Sequence, residues 1–184
     1  MKKLFRAALL VSFLSLATAC GGPVNDAAAD TEDLTSNFDP VAQFAQVQKT
    51  ATAYTKNVVA VSLNGTRRAH ASTSQSNCAS FAWVWTVMGS DGVFVDVQIN
   101  SSSVKVLKHE KRFLFTGQAS FDPTTVLVDG RDLLVLAGSL NMGQPTNVTL
   151  GSTLAAQVTG PRYSVTFPAN GYMTIDGVTG QESK

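Results

Sequence analysis

The 184-residue chain carries 14 Lys and Arg against 13 Asp and Glu, a net charge of +1, with two Cys and two His. That balance leaves no arginine-rich run or strongly basic face for nucleic acid. No stretch beyond the first 20 residues is apolar for long enough to cross a bilayer. The chain is long enough to bury about two thirds of its unfolded surface, so its core needs neither a disulfide nor a metal.

The first 20 residues, MKKLFRAALLVSFLSLATAC, have three parts. Lys2, Lys3 and Arg6 give a positive start, and an apolar run from Ala7 to Ala17 follows, broken by Ser12 and Ser15. Ala17-Thr18-Ala19 then closes the segment directly ahead of Cys20. This is the layout of a secretory signal, and the run is well short of a membrane span. Leu16-Ala17-Thr18-Ala19-Cys20 resembles the lipobox of bacterial lipoproteins. The resemblance implies a signal peptide over residues 1–19 and a lipidated Cys20 as mature N-terminus. In Gram-negative members of that family an Asp after the cysteine tends to hold the protein at the inner membrane; Gly21 stands there here, so the resemblance implies the outer membrane. Ala17-Thr18-Ala19 also satisfies the cleavage rule of an ordinary secretory leader.

All thirteen acidic residues lie beyond position 20 and three of the fourteen basic ones before it, so the mature chain carries a net −2. Five acids and no Lys or Arg fall between Cys20 and Pro40. Such a segment has too little apolar surface to offset its ordering entropy. Residues 20–40 therefore read as a disordered acidic tether behind a lipidated Cys20, and residues 41–184 as one β-rich domain.

Asp39-Pro40 reads as an N-cap followed by the first helical residue. Val41, Phe44, Val47, Ala51 and Tyr54 recur at helical spacing, which predicts a helix over 40–56. Beyond it the period is two. Trp83, Trp85 and Val87 share one face of a strand, and Val93, Val95, Val97 and Ile99 share another. Val104 and Val106, Phe113 and Phe115, Leu133 and Val135, and Tyr163, Val165 and Phe167 continue the pattern. Asn64-Gly65, Asp91-Gly92, Asp129-Gly130, Asn170-Gly171 and Asp176-Gly177 fit hairpin turns, because Asn, Asp and Gly tolerate positive φ. The expected class is all-β, an antiparallel β-sandwich or barrel with one N-terminal helix.

Motifs for chemistry are sparse. His70 sits in the polar loop 69–77 and His109 at an expected hairpin tip, without the spacing of a zinc pair. No G-x-S-x-G, S-x-x-K, G-x-G-x-x-G or Walker-type loop occurs. Asp91, Asp96, Glu110 and Asp122 fall in turns or on a polar strand face, where two of them would have to meet to cut a glycosidic bond. The expectation is no catalytic, metal or cofactor site. Asn64-Gly65-Thr66, Asn100-Ser101-Ser102 and Asn147-Val148-Thr149 match the glycosylation sequon, which a bacterial lipoprotein would leave unmodified.

Three features invite binding or pairing. Lys105, Lys108, Lys111 and Arg112 crowd one hairpin beside His109 and Glu110; they suit an anionic surface, or guard a soluble strand edge. Trp83 and Trp85 on one sheet face serve either a sugar platform or the core, and Phe81 and Val87 on that face favour core. Cys78 is a buried free thiol or a site for an intermolecular bond if Cys20 is acylated, and if it is not, a Cys20–Cys78 disulfide becomes possible in an oxidising compartment.

These features point to a lipid-anchored, non-enzymatic binding or assembly component of a bacterial envelope. Its partners would be the membrane, through the anchor, and an envelope protein or anionic polymer. An envelope-polymer hydrolase and a barrel-type carrier of apolar ligands are the alternatives. Phe94, Leu107 and Leu114 offer a second apolar surface on the expected outer face.

Overall fold

The computed structural model describes residues 38–69, 78–112, 118–138, 142–153, 160–168 and 171–182. The leader, Cys20, the tether to residue 37, His70, Phe113, Leu114, Phe115 and Asn170 lie outside these ranges. Among the described residues eight antiparallel strands make one sheet: β1 (Val59–Arg67), β2 (Phe81–Met88), β3 (Val93–Ile99), β4 (Val104–Lys111), β5 (Gln118–Ala119), β6 (Asn147–Thr153), β7 (Pro161–Thr166) and β8 (Tyr172–Asp176). Seven follow the order β4-β3-β2-β1-β6-β7-β8, and short β5 pairs with β6 off this path.

Among the described residues the sheet stays open, with β4 and β8 as its ends, and does not close into the expected sandwich or barrel. The layer on its apolar face is not a second sheet. Helix α1 (Phe44–Ala51), helix α2 (Gly130–Gly138) and the segment between Phe121 and Val128 pack there instead. Trp83, Trp85, Leu63, Val148, Leu150, Tyr163, Val165 and Ile175 fill that face and are fully buried. The tryptophan face is therefore core. Trp83 Nε1 donates to Cys78 O at 2.7 Å and Trp85 Nε1 to Pro40 O at 3.0 Å, so neither indole buries an unpaired donor. Phe44 packs against Trp85 with its ring tilted by 58°, 4.9 Å between ring centres.

Helix α1 is shorter than its apolar stripe predicts. Asp39 accepts from Val41 N at 3.0 Å and from Ala42 N at 3.3 Å, as expected of a cap. The chain then makes a turn before becoming α-helical at Phe44. At the far end Thr52 Oγ1 donates to Lys49 O at 2.6 Å, and the Thr55 hydroxyl donates to Asp91 across the sheet end. Threonine hydroxyls compete with the helical ladder in this way and stop the helix. Phe38, three residues before the expected domain start, is already buried.

The single expected helix is corrected to two, because α2 occupies the stretch where Leu133 and Val135 suggested a strand. Asp129 is its N-cap: Asp132 N donates to Asp129 Oδ1 at 2.8 Å, and Leu133 N to Asp129 O at 3.1 Å. Leu133, Leu134 and Ala137 form one buried helical face, while Val135 points to solvent. Burial at i, i+1 and i+4 is a helical pattern.

Turn dipeptides divide by context. Asp91-Gly92 makes the β2–β3 turn, with Gly92 at φ +76°, and Asp176-Gly177 opens the turn after β8. Asn64-Gly65 instead lies inside β1, where Gly65 is paired with Trp83. A Cβ on Gly65 would fall 2.4 Å from Trp83 Cζ3. That glycine makes room for an indole ring, which a turn does not require.

Candidate functional site

The opposite face of the sheet carries an ordered polar array. Successive outward residues stand about 7 Å apart along a strand, and neighbours across strands about 4.8 Å apart. Register aligns them in rows. Asn64, Thr149, Ser164 and Thr174 form one row across β1, β6, β7 and β8; Thr66, Asn147, Thr166 and Tyr172 form the next. Ser62, Gly151, Arg162 and Asp176 form a third. The first two rows hold hydroxyls, amides and one phenol, without a charge.

Within the array Thr149 Oγ1 donates to Asn64 Oδ1 at 3.1 Å, and Asn64 Nδ2 donates to Ser62 Oγ at 3.1 Å. That relay fixes the amide orientation. Thr66, Asn147, Thr149, Ser164 and Thr166 are exposed, and Tyr172 is 69% exposed at the rim. Gly151 leaves a gap in its row, and a Cβ there would meet only Val61 O, at 3.7 Å. Above it lies a depression of about 490 Å³, bordered by Ser62, Ser152, Arg162 and Tyr172. Short strand β5 walls one side by pairing Ala119 with Ser152.

Arg162 Nε is buried at this depression and has no hydrogen-bond acceptor among the described residues. Its neighbour Asp176 turns toward its own loop, accepting from Val178 N at 2.9 Å and Thr179 N at 2.8 Å. The bond from Thr179 N holds that carboxyl below the usual range, against a smaller opposing effect of burial. It stays ionised and contributes a counter-charge to Arg162 while leaving the Nε donor unmet.

Lys105, Lys108 and Lys111 lie along edge strand β4 with Arg112 just beyond it. The β3–β4 tip is Asn100–Ser103 instead, where Asn100 Oδ1 accepts from Ser102 N at 3.0 Å and Ser103 N at 2.6 Å. Lys108 Nζ pairs with Glu110 at 2.6 Å, and Arg112 bonds Glu110 and reaches Asp96 at 3.4 Å. Hydrogen bonds from Lys108 and Arg112 keep the Glu110 carboxyl below its usual range. Arg112 also covers the outward ring of Phe94, 5.3 Å from its centre. His109 is not at the tip; it stands on β4 against Tyr54, ring centres 4.6 Å apart. Such an edge resists pairing with another strand.

The expected carboxylates are committed to structure. Asp91 accepts from Thr55 and Val93 N in the β2–β3 turn. Asp122 caps the short helix 123–125 through Thr124 N at 2.9 Å. Asp96 and Glu110 do meet, but around the Arg112 guanidinium, which pairs with both. Among the described residues no group of three His, Cys, Asp or Glu could hold a metal ion. Cys78 is a buried, free thiol, and burial pushes it up to about 12, with the Asp39 and Asp129 carboxylates adding to the effect. No protein-family model matches the chain, and comparison with curated proteins and with solved structures returned no match.

Proposed function

We propose that the protein is a lipid-anchored, non-enzymatic binding module of a bacterial envelope, held at the outer membrane by an acylated Cys20, that takes a neutral polyhydroxyl polymer on its outward sheet face. The observation carrying the binding reading is the uncharged Ser, Thr and Asn array that ends on exposed Tyr172. Glycans offer alternating hydroxyls and apolar ring faces. A grid of short hydroxyl and amide side chains matches the first, and an exposed phenol ring stacks on the second. The first two rows carry no charge, and the charges of this face are the Arg162–Asp176 pair of the third row and the groups at the β3–β4 end. The leader and the placement of Cys20 carry the envelope assignment, and a free, buried Cys78 is in keeping with a Cys20 used for acylation.

Two measurements test the halves separately. For the anchor, intact mass of the membrane fraction should show loss of residues 1–19 and gain of acyl chains. Cys20→Ser should release the protein or stall its processing, and a soluble, unacylated wild type would end the reading. For the face, sedimentation with insoluble envelope polysaccharide should weaken about fivefold in Tyr172→Ala, the worth of roughly 1 kcal/mol of stacking. Thermal stability should hardly move, because the ring is exposed. Binding that instead follows Lys105→Ala and Lys111→Ala would transfer the site to β4 and to an anionic polymer.

A further inference from the structure

Helix α2 is apolar on both sides. Its inner face buries Leu133, Leu134 and Ala137, yet Val135 is 70% exposed and Leu136 36%. Just ahead of the helix Leu127 is 71% exposed. Its backbone N donates to Gly177 O at 2.9 Å, which brings exposed Val178 alongside. Single exposed aliphatic residues are ordinary, but several on one segment and the loop bonded to it form a patch that calls for a partner. Of the nearby charges Arg131 pairs with Asp129 at 3.1 Å, and exposed Asp132 in the first turn of the helix leaves one net negative charge.

The path of the chain says what lies near this patch. The N-terminal segment enters the domain against the first residue of α2: Gly130 N donates to Asp39 Oδ1 at 3.4 Å, and a Cβ on Gly130 would stand 3.2 Å from the Pro40 ring. Val135 is five residues along, about 8 Å further on the helix axis. The stretch from Cys20 to Phe38 spans at most about 60 Å whatever its conformation. A bilayer holding the Cys20 acyl chains is thus always within reach of α2. Intramolecular contact of this kind has a roughly millimolar effective concentration, enough for a small apolar patch to engage a surface that it would not bind from free solution.

We infer that the exposed face of α2, with Leu127 and Val178, docks on the membrane leaflet that carries the acyl anchor. This docking leaves the polar array of the sheet, on the far side from the helical layer, turned away from the lipid. The inference rests on the acylation of Cys20.

The test uses the processed lipoprotein in vesicles of phosphatidylethanolamine and phosphatidylglycerol. With Cys20 acylated and Cys78 buried, a cysteine introduced by Val135→Cys, Leu127→Cys or, as a control on β4, Lys105→Cys is the reactive thiol for an environment-sensitive dye. Dyes at 135 and 127 should shift to the blue in vesicles and be quenched by lipid-borne quenchers, and the dye at 105 should do neither. Unchanged tryptophan emission checks that each variant is folded. Dyes at 135 and 127 that stay aqueous on protein floating with the vesicles would overturn the docking and leave the anchor standing. A blue shift that follows protein concentration and not lipid would overturn it in favour of a second copy covering the patch. Protein that neither floats nor carries acyl chains would remove the anchor and the docking with it.

Discussion

Gly65→Ala is expected to destabilise the protein by about 3 kcal/mol, although it adds one methyl group to a β-strand, where alanine is ordinarily the better residue. The added Cβ would stand 2.4 Å from Trp83 Cζ3, 2.6 Å from Cε3 and 2.8 Å from Cη2, well inside contact distance for three ring atoms. The ring has nowhere to go. It is fully buried, its Nε1 is tied to Cys78 O, and Phe81 stands 5.5 Å away between ring centres. Truncating the indole itself, Trp83→Ala, should cost roughly 3–5 kcal/mol, since it leaves a cavity and an unpaired Cys78 carbonyl. The two sites are coupled, so Gly65→Ala combined with Trp83→Phe should lose less than the sum of the single losses, by about 1 kcal/mol or more. Urea unfolding followed by tryptophan emission, blue when native and moving to the red on unfolding, measures all four corners of the cycle. Additive losses, or a Gly65→Ala variant as stable as the wild type, would show that Gly65 is not there for the ring.

The same glycine shows where the sequence stops being readable. Asn64-Gly65 has the composition of a hairpin turn, but the reason for the glycine lies on another strand, and only pairing reveals it. Asp129-Gly130 looks equally like a turn and is the capped start of α2. There the deciding signal was local: Leu133 and Leu134 are adjacent, which an alternating strand with one buried face does not allow, and Ala137 completes the helical face. The central hairpin was legible because Trp83, Trp85 and Val87 against Val93, Val95, Val97 and Ile99 repeat strictly every second residue, and β2 and β3 are contiguous in sequence.

The candidate face was harder to see for a different reason. Its rows join Asn64 to Thr149, Ser164 and Thr174, and their alignment depends on the β1–β6 register between segments 85 residues apart. A partial signal was present. Ser62, Asn64 and Thr66, then Asn147 and Thr149, then Ser164 and Thr166, are polar at a period of two. Two of these stretches read as glycosylation sequons because Asn-x-Thr has the same spacing as two residues on one face of a strand. The basic residues of β4 were visible as a group, but not their engagement by Asp96 and Glu110.

Stability should fall steeply above about pH 9, and two buried groups on the core side account for it. Burial, with the Asp39 and Asp129 carboxylates behind it, pushes the Cys78 thiol up to about 12. Burial also drives the Tyr163 phenol well above its ordinary value, aided by Asp39, while its hydroxyl donates to Val128 O at 2.8 Å. In the unfolded chain a cysteine loses its proton near pH 8.5 and a tyrosine near pH 10. Between about pH 9 and 12 the native state therefore holds a proton that the unfolded state has released, so rising pH favours unfolding. The slope is about 1.4 kcal/mol per pH unit for each group, which gives roughly 3 kcal/mol from Cys78 alone between pH 9 and pH 11. Tyr163 steepens the fall above about pH 10. Urea midpoints at pH 7, 9 and 10.5 should trace this decline, and Cys78→Ala should flatten its first part. Tyr163→Phe should start about 1 kcal/mol lower at pH 7, having lost the bond to Val128 O, and flatten the second part. The thiol should also resist alkylation in the native protein at pH 8 and react on unfolding. Midpoints unchanged from pH 8 to pH 11, or a native thiol that reacts at the rate of free cysteine, would mean that Cys78 is not held in the dry layer beneath α2.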